Sequence, residues 1–265
     1  MMPTADTSAA AHLDRVRQDH PLVQCLTNPV TVNLVANALL ACGATPAMVD
    51  IPEEAGLFAR GAASAVLVNL GTPQHDQRTA MLEATEPGPD RPRWVLDPVA
   101  VGTLPVRTAL AQQLLERGPT VIRGNASEIG ALAGGAGGRG VDATIGTEEA
   151  LPAAQDLAGR TGSVVAVSGA TDLVTDGERV VRVEGGHPLM ARITGAGCAL
   201  GAIVAAFVAG DVDPLEATVA ACCTYAVAGE LAAERAARPG SYAVALIDAL
   251  DAIDADILAA RGRVS

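Results

Sequence analysis

The chain has 265 residues, 49% of them apolar but only 2% aromatic, and a formal charge of −12 from 18 basic and 30 acidic side chains. It is long enough for a large α/β domain whose core must come from Ala, Val, Leu and Ile rather than from rings. The acidic balance and the lack of a Lys/Arg run argue against nucleic acid, whose binding rests on basic side chains neutralising phosphates; a small anionic substrate held by backbone amides and a metal ion stays open.

Residues 1–6 read as disordered, and Thr7 or Ser8 can cap a helix running to Asp19. Pro21 to Thr27 predicts a strand, after which Asn28-Pro29 turns the chain, Pro29 biasing Asn28 away from helix. Val30 to Cys42 predicts a helix with Gly43 at its C′ position. Asn33 and Asn37 share one face of it, placed to touch a ligand or to pack against a neighbouring helix or loop through amide hydrogen bonds. Thr45 to Val49 and Ala62 to Leu70 are strands, and Pro73 to Ala84 is a helix. Arg93 to Leu96 is a strand ending at Asp97-Pro98, Thr103 to Arg117 a helix, and Thr120 to Arg123 a strand. Asn125 caps a short helix, with Glu128 at the capping-box position. Ala133 to Gly140 is rich in glycine but lacks a following Lys-Ser/Thr, so it reads as a flexible connection rather than a phosphate loop. Leu151 to Arg160 predicts a helix and Val164 to Val167 a buried strand ending in Ser168-Gly169. Asp172 to Thr175 and Arg179 to Val183, around Asp176-Gly177, predict a hairpin. Helices at Pro214 to Arg235 and Ala243 to Ala260 close the chain.

Strands alternating with helices predict a three-layer αβα fold with a mostly parallel central sheet. No Pro/Ser linker or shift in composition divides the chain, so residues 1–265 read as a single domain. Cys25, Cys42, Cys198, Cys222 and Cys223 form neither CxxC spacing nor a paired framework, which fits a reducing cytosol. Residues 1–20 hold no signal-peptide pattern, and the apolar run from Ala199 to Gly210 is too short to span a bilayer. A cytoplasmic location is the expectation.

Arg192 to Phe207 carries turn-permissive residues leading straight into a long apolar helix. Unpaired N–H groups and the macrodipole make a helix start electropositive. Gly195 and Gly197 leave those amides uncovered, so the stretch reads as an anion cradle with Cys198 in its first turn. The alternative is a glycine-rich helix start with a buried thiol, and spacing alone does not separate the two.

In an open α/β sheet ligands collect beyond the carboxyl ends of the strands. Asn28, Met48, Asn69 with Gly71, Asp97, Arg123 and Ser168 all fall at strand ends, and Gly195 to Cys198 can face the same edge. Each has a structural alternative: Asp97-Pro98 as a turn start, Asn69 satisfying backbone groups, Ser168-Gly169 as a plain turn, Glu128 closing its own capping box, Met48 as core filler. Their shared placement argues more strongly than any one of them. His12, His20, His75 and His187 show no metal-ligand spacing. No nucleophile elbow occurs, and no GxGxxG joins a strand to a helix, which disfavours a nicotinamide cofactor.

Gln24-Cys25-Leu26-Thr27-Asn28-Pro29-Val30, Gly43-Ala44-Thr45-Pro46-Ala47-Met48, Asn69-Leu70-Gly71-Thr72, Leu96-Asp97-Pro98-Val99-Ala100-Val101-Gly102, Arg123-Gly124-Asn125-Ala126-Ser127-Glu128 and Thr194-Gly195-Ala196-Gly197-Cys198 follow one another in this order. Together they resemble hydroxyethylthiazole kinase, a thiamine-salvage family of the ribokinase-like superfamily. The resemblance implies ATP-dependent phosphorylation of the primary hydroxyl of 4-methyl-5-(2-hydroxyethyl)thiazole with Mg²⁺, by a homotrimer whose substrate sites lie at subunit interfaces. It implies that Met48 and Gly195 contact the thiazole, with Asn28 and Val30 nearby, and that Arg123 and Ser168 contact ATP. Asp97 and Glu128 would hold or orient Mg²⁺ and its waters, and the amides from Gly195 through Gly197 to Cys198 would receive the transferred phosphoryl group. Family members commonly carry Ala-His-Ala or similar after the Met, where this chain has Val49-Asp50-Ile51.

Most ribokinase-like kinases place Asp where Cys198 stands. A thiol is favoured as thiolate by a helix N-terminus and disfavoured beside phosphates, so Cys198 is expected to position the hydroxyl and accept its proton late. A kinase for hydroxymethylpyrimidine or pyridoxal is a second reading, which Cys198 argues against. A non-enzymatic nucleotide- or thiazole-sensing protein is a third, which the joint presence of Asp97, Arg123 and Glu128 argues against.

Overall fold

The computed structural model describes residues 5–134 and 146–265. The expected disorder of residues 1–4 and the glycine-rich connection from 135 to 140 lie outside these. Residues 5 and 6 are helical: α1 (Ala5–Asp19) begins before the expected caps, its Ala-rich start supporting helix beyond them.

Six strands form a parallel block: β1 (Leu22–Leu26), β2 (Thr45–Ala47), β3 (Ala65–Asn69), β4 (Arg93–Asp97), β5 (Val121–Asn125) and β6 (Val164–Ser168). The antiparallel strands β7 (Thr171–Thr175), β8 (Val180–Glu184) and β9 (Arg263–Val264) extend it. The order is β2-β1-β3-β4-β5-β6-β7-β8-β9, so the chain reverses direction across the sheet between β1 and β3. That reversal opens a crevice at the carboxyl ends, the usual ligand position in such sheets.

Strand periodicity divides the core in two. Val23, Cys25, Ala65, Leu67, Val95, Val121 and Ala166 pack on one face, with α1, α2 (Val32–Cys42), α8 (Ala196–Phe207), α9 (Pro214–Arg235) and α10 (Pro239–Ala252). Leu26, Val66, Val68, Leu96, Ile122, Val165 and Val167 pack on the other, with α3 (Ala55–Gly61), α4 (His75–Ala84), α5 (Pro105–Leu115), α6 (Ala126–Leu132) and α7 (Thr147–Thr161). Both faces are covered, which is why these strands read as nearly unbroken apolar runs. The same alternation carries on to the strand ends. Asn69, Asp97, Arg123 and Ser168 therefore leave the sheet on the α8 side.

Local signals are realised closely. Gly43 ends α2 at φ +91°, where a Cβ would meet the Arg17 side chain at 2.7 Å. Asn125 and Glu128 form a reciprocal capping box on α6. The hairpin β7–β8 turns at Asp176, whose Oδ1 accepts the N–H groups of Glu178 and Arg179. Asn37 Nδ2 donates to the Asn33 carbonyl and to its Oδ1 on an exposed face, rather than to another element.

Three expectations are corrected. The helix at 147–161 starts at Thr147, earlier than Leu151, because Gly146 begins it and Glu148 and Glu149 favour its positive end despite Pro152 inside. The predicted helix from Ala243 to Ala260 is two helices, α10 and α11 (Ala255–Arg261), since Asp254 accepts the Ile257 N–H and caps a new start. Helix α3 and the short helical turn Pro188–Arg192 were not expected. Helix α9 is long and apolar enough to cross a membrane by length and composition alone, yet it is largely buried in the core.

Candidate active site

Helix α8 opens at Gly195, whose φ of +95° is left-handed. A Cβ there would lie 3.0 Å from Thr31 Cβ, so the β1–α2 loop lies directly against the helix start. At Gly197 a Cβ would lie 2.9 Å from Arg123 Nη1. The two glycines thus let a loop and a guanidinium close on the first turn. Tyr225, buried on α9, donates to the Ala196 carbonyl at 2.8 Å and ties that turn to the core. An alanine at Gly195 would combine left-handed strain of about 1–2 kcal/mol with the Thr31 contact. Gly195→Ala is expected to lower the melting temperature by roughly 2–8 °C, at about 2–4 °C per kcal/mol for a domain of this size, read by differential scanning calorimetry.

Beneath the cradle lies a buried charged cluster. Arg123 Nε donates to Ser168 Oγ at 3.0 Å, and its Nη1 lies 3.7 Å from Asp97 Oδ2. Asn69 Nδ2 donates to the same Asp97 oxygen at 2.7 Å. Asp97 is 1% exposed. Burial pushes its carboxyl up to about 7, against the pull of Arg123, with Glu128 pushing further and the Asn69 bond opposing. Arg123 is held above its ordinary value although burial works the other way, because Asp97, Asp172 and Glu128 surround it with negative charge. Helix α8 passes so close to β4 that a Cβ on Gly201 would lie 3.4 Å from Asp97 Oδ2.

Cys198 is half-buried in the first turn of α8. Its thiol is raised, first by burial and then by Asp97, while hydrogen bonds with Thr31 and Asn69 and the charge of Arg123 pull it down. Glu128 uses both carboxylate oxygens on backbone: Oε2 accepts the Asn125 N–H and Oε1 the Ala100 N–H, each at 2.9 Å. It therefore joins β5 to the loop after Asp97, where Ala100 holds a left-handed φ of 59°.

The sequence-predicted residues Asp97, Arg123, Ser168, Gly195, Gly197 and Cys198 thus meet in one cluster, with Glu128 at its margin. Asn28 closes the β1–α2 loop: its Oδ1 accepts the Val30 N–H and its carbonyl the Thr31 N–H. Val30 is exposed, and Met48 is partly buried and packs on the α8-side core. Asp50 accepts from Gln77 Nε2 at 2.7 Å and is tied back to α4. Thr31 and Asp172 were not singled out from sequence. Thr31 sits at the N-cap of α2, and Asp172 follows the Ser168-Gly169 turn, where its Oδ1 accepts the Gly169 N–H at 2.9 Å. Among the described residues no group of three or more His, Cys, Asp and Glu side chains forms a metal cage. A divalent cation would need carboxylates plus waters and phosphate oxygens, the usual habit of Mg²⁺.

The sequence pattern of the hydroxyethylthiazole kinase family matches residues 13–256. A hydroxyethylthiazole kinase of Clavibacter sepedonicus is 56% identical over 260 residues, covering 97% of this chain and 94% of that one. One of Kineococcus radiotolerans is 55% identical over the same shares. Among solved structures, hydroxyethylthiazole kinase from Pyrococcus horikoshii OT3 superposes with a TM-score of 0.89 at 40% identity, over 97% of this chain and 98% of that one. Pyridoxal kinase from Staphylococcus aureus shares the fold, with a TM-score of 0.60 at 19% identity over 80% of this chain and 88% of that one. The chain belongs to the hydroxyethylthiazole kinase family.

Proposed function

We propose that this chain transfers the γ-phosphoryl group of ATP to the primary hydroxyl of 4-methyl-5-(2-hydroxyethyl)thiazole, a step of thiamine biosynthesis and salvage, in the cytoplasm. The observation that carries the reading is the convergence of Arg123, Asp97 and Cys198 on the glycine-opened start of α8. Phosphoryl transfer is mainly positioning and charge stabilisation, and this cluster supplies both. Backbone N–H groups from Gly195 to Cys198 receive the equatorial oxygens of the transferring group. Arg123, held by Ser168 and Asp97, adds fixed positive charge beside them, and Arg123 and Ser168 contact the nucleotide. Met48, Gly195, Asn28 and Val30 line the thiazole side. Cys198 meets the acceptor hydroxyl and takes its proton late.

The residues present suit Mg²⁺. Glu128 is close enough for its charge to disfavour ionisation of the Asp97 carboxyl, a repulsion that a bound cation would relieve. Mg²⁺ held there would supply positive charge against the phosphate oxygens of the nucleotide. Asp97 would hold the ion, and Glu128 would orient its waters while bracing the loop at Ala100.

The active assembly is a homotrimer in this reading. An open groove beside the cradle runs between α2 and α10, lined by Leu34, Ile193, Thr194, Val244 and Ile247. Val244 is 64% exposed, and a second subunit would cover this apolar wall and close the thiazole site. Val244→Asp is expected to yield a smaller species in sedimentation and to raise the thiazole KM about tenfold, the cost of one buried apolar contact replaced by a charge. A variant that keeps the wild-type mass and KM would rule this face out as the interface.

The direct test is ADP release and product mass with purified protein and Mg-ATP, comparing hydroxyethylthiazole with hydroxymethylpyrimidine and pyridoxal. Thiazole-dependent turnover that stops on chelating the metal is the expected result. Protein that leaves the thiazole unmodified would end the proposal.

A further inference from the structure

Asn69 has none of the roles assigned above to substrate, nucleotide and metal residues, yet it is fully buried where their side chains meet. It is the register partner of Asp97 across β3 and β4. Both side chains therefore leave one face of the sheet at one height. The Gly71 N–H donates to Asn69 Oδ1 at 2.9 Å. A backbone N–H needs an acceptor, so this bond fixes which end of the amide is oxygen. The NH₂ end is thereby turned to Asp97, where it donates to Oδ2 at 2.7 Å. Arg123 Nη1 approaches that same oxygen at 3.7 Å. The hydrogen bond from Asn69 and the approach of Arg123 both fall on Oδ2 of the Asp97 carboxylate. The amide is also hydrogen-bonded with the Cys198 thiol. Closing the turn to Gly71 accounts for the oxygen of this side chain, which leaves its NH₂ group for the carboxylate at 2.7 Å.

We propose that Asn69 is a positioning residue, which by holding Asp97 Oδ2 presents Asp97 Oδ1 to the divalent cation that accompanies the nucleotide. The inference rests on the reading of Asp97 as a metal-holding residue. Without the amide, the carboxylate is free to rotate about its Cβ–Cγ bond and the ion meets a disordered ligand. Partners in this outer position typically contribute 10–100-fold to metal affinity.

Two variants separate the two ends of the amide. Asn69→Leu keeps the number and branching of side-chain heavy atoms and removes every hydrogen bond of the amide. Asn69→Ser keeps a short oxygen able to accept the Gly71 N–H in the equivalent Ser turn, but does not reach Asp97. Mn²⁺ binding in the presence of ADP, followed by electron paramagnetic resonance, reads metal affinity without turnover. Thiazole phosphorylation titrated with Mg²⁺ reads it in action. Asn69→Ser is expected to melt close to wild type, to bind Mn²⁺ about 10–100-fold more weakly, to need correspondingly more Mg²⁺, and to keep its thiazole KM. Asn69→Leu should show the same metal defect where it folds. If the wild type phosphorylates the thiazole and Asn69→Ser matches it in Mn²⁺ binding and Mg²⁺ titration, the inference is overturned while the metal role of Asp97 stands. If the wild type itself turns over without a divalent cation, that role fails and the inference fails with it.

Discussion

Replacing Arg123 by Met is expected to lower kcat/KM for ATP by about 10³-fold, equivalent to roughly 4 kcal/mol at 1.36 kcal/mol per tenfold, with the thiazole KM nearly unchanged. The size follows from what the guanidinium touches. It is anchored by Ser168 through Nε, ion-paired with Asp97 through Nη1, and placed where a Cβ on Gly197 would contact it. Its side chain is 12% exposed, so its charge acts in a medium that screens it weakly. Negative charge developing on the transferring group would meet a cation that is already oriented. Removing it also leaves Asp97 buried without its counter-charge. Arg123 pulls the Asp97 carboxyl down against burial, so in Arg123→Met that carboxyl rises further and is protonated at neutral pH. Both losses act on the nucleotide side. Arg123→Lys should recover little, because one ammonium cannot serve Ser168, Asp97 and phosphate in the planar arrangement a guanidinium offers. Added guanidine should restore part of the rate to Arg123→Ala if the lost term is the cation itself. Arg123→Lys turning over at the wild-type rate would reduce the role to diffuse positive charge.

Much of this arrangement was legible because it follows from periodicity. Alternation along the parallel strands decides that Asn69, Asp97, Arg123 and Ser168 face α8, and the strand ends were readable from Asn28-Pro29, Asp97-Pro98 and Ser168-Gly169. Gly43 and the Asn125/Glu128 box were legible since each is a local backbone requirement met by a residue suited to it. What escaped depends on tertiary neighbours. Nothing in the run from Ala55 to Gly61 gives it a strong helical signal, and α3 forms where its buried face meets the core beside β3 and α4. The break after Ala252 is hidden by Ile253, an apolar residue that suits a continuing helix, and only the capping by Asp254 reveals it. Thr31 and Asp172 matter through side chains distant in sequence, Gly195 with Cys198 and Arg123 respectively. No local pattern announces such contacts. Glu128 shows the limit of choosing between two readings: it closes its own capping box with Oε2 and braces Ala100 with Oε1.

Cys198→Asp is expected to keep or raise turnover, and Cys198→Ala to lower it about tenfold, below the usual range for a full general base. The thiol lies on the first turn of α8, where the helix end favours an anion. Burial nevertheless raises it, Asp97 raises it further, and the bonds with Thr31 and Asn69 and the charge of Arg123 only partly offset this. At neutral pH the group is therefore a protonated thiol, able to orient a hydroxyl but slow to strip it. A loose transition state asks little of a base until the oxygen–phosphorus bond has begun to form, so the proposed reaction requires only a weak acceptor at this position. A carboxylate at the same position gains the electropositive helix end and stands closer in basicity to a partly transferred proton, which is why Asp should match or exceed the thiol. Its cost is a second negative charge near Asp97, felt as a higher Mg²⁺ requirement rather than a lower limiting rate. Single-turnover rates at saturating Mg²⁺ separate these effects. Cys198→Ala turning over like the wild type under those conditions would leave the thiol no chemical part, and the cradle amides and Arg123 would then carry the transfer unaided.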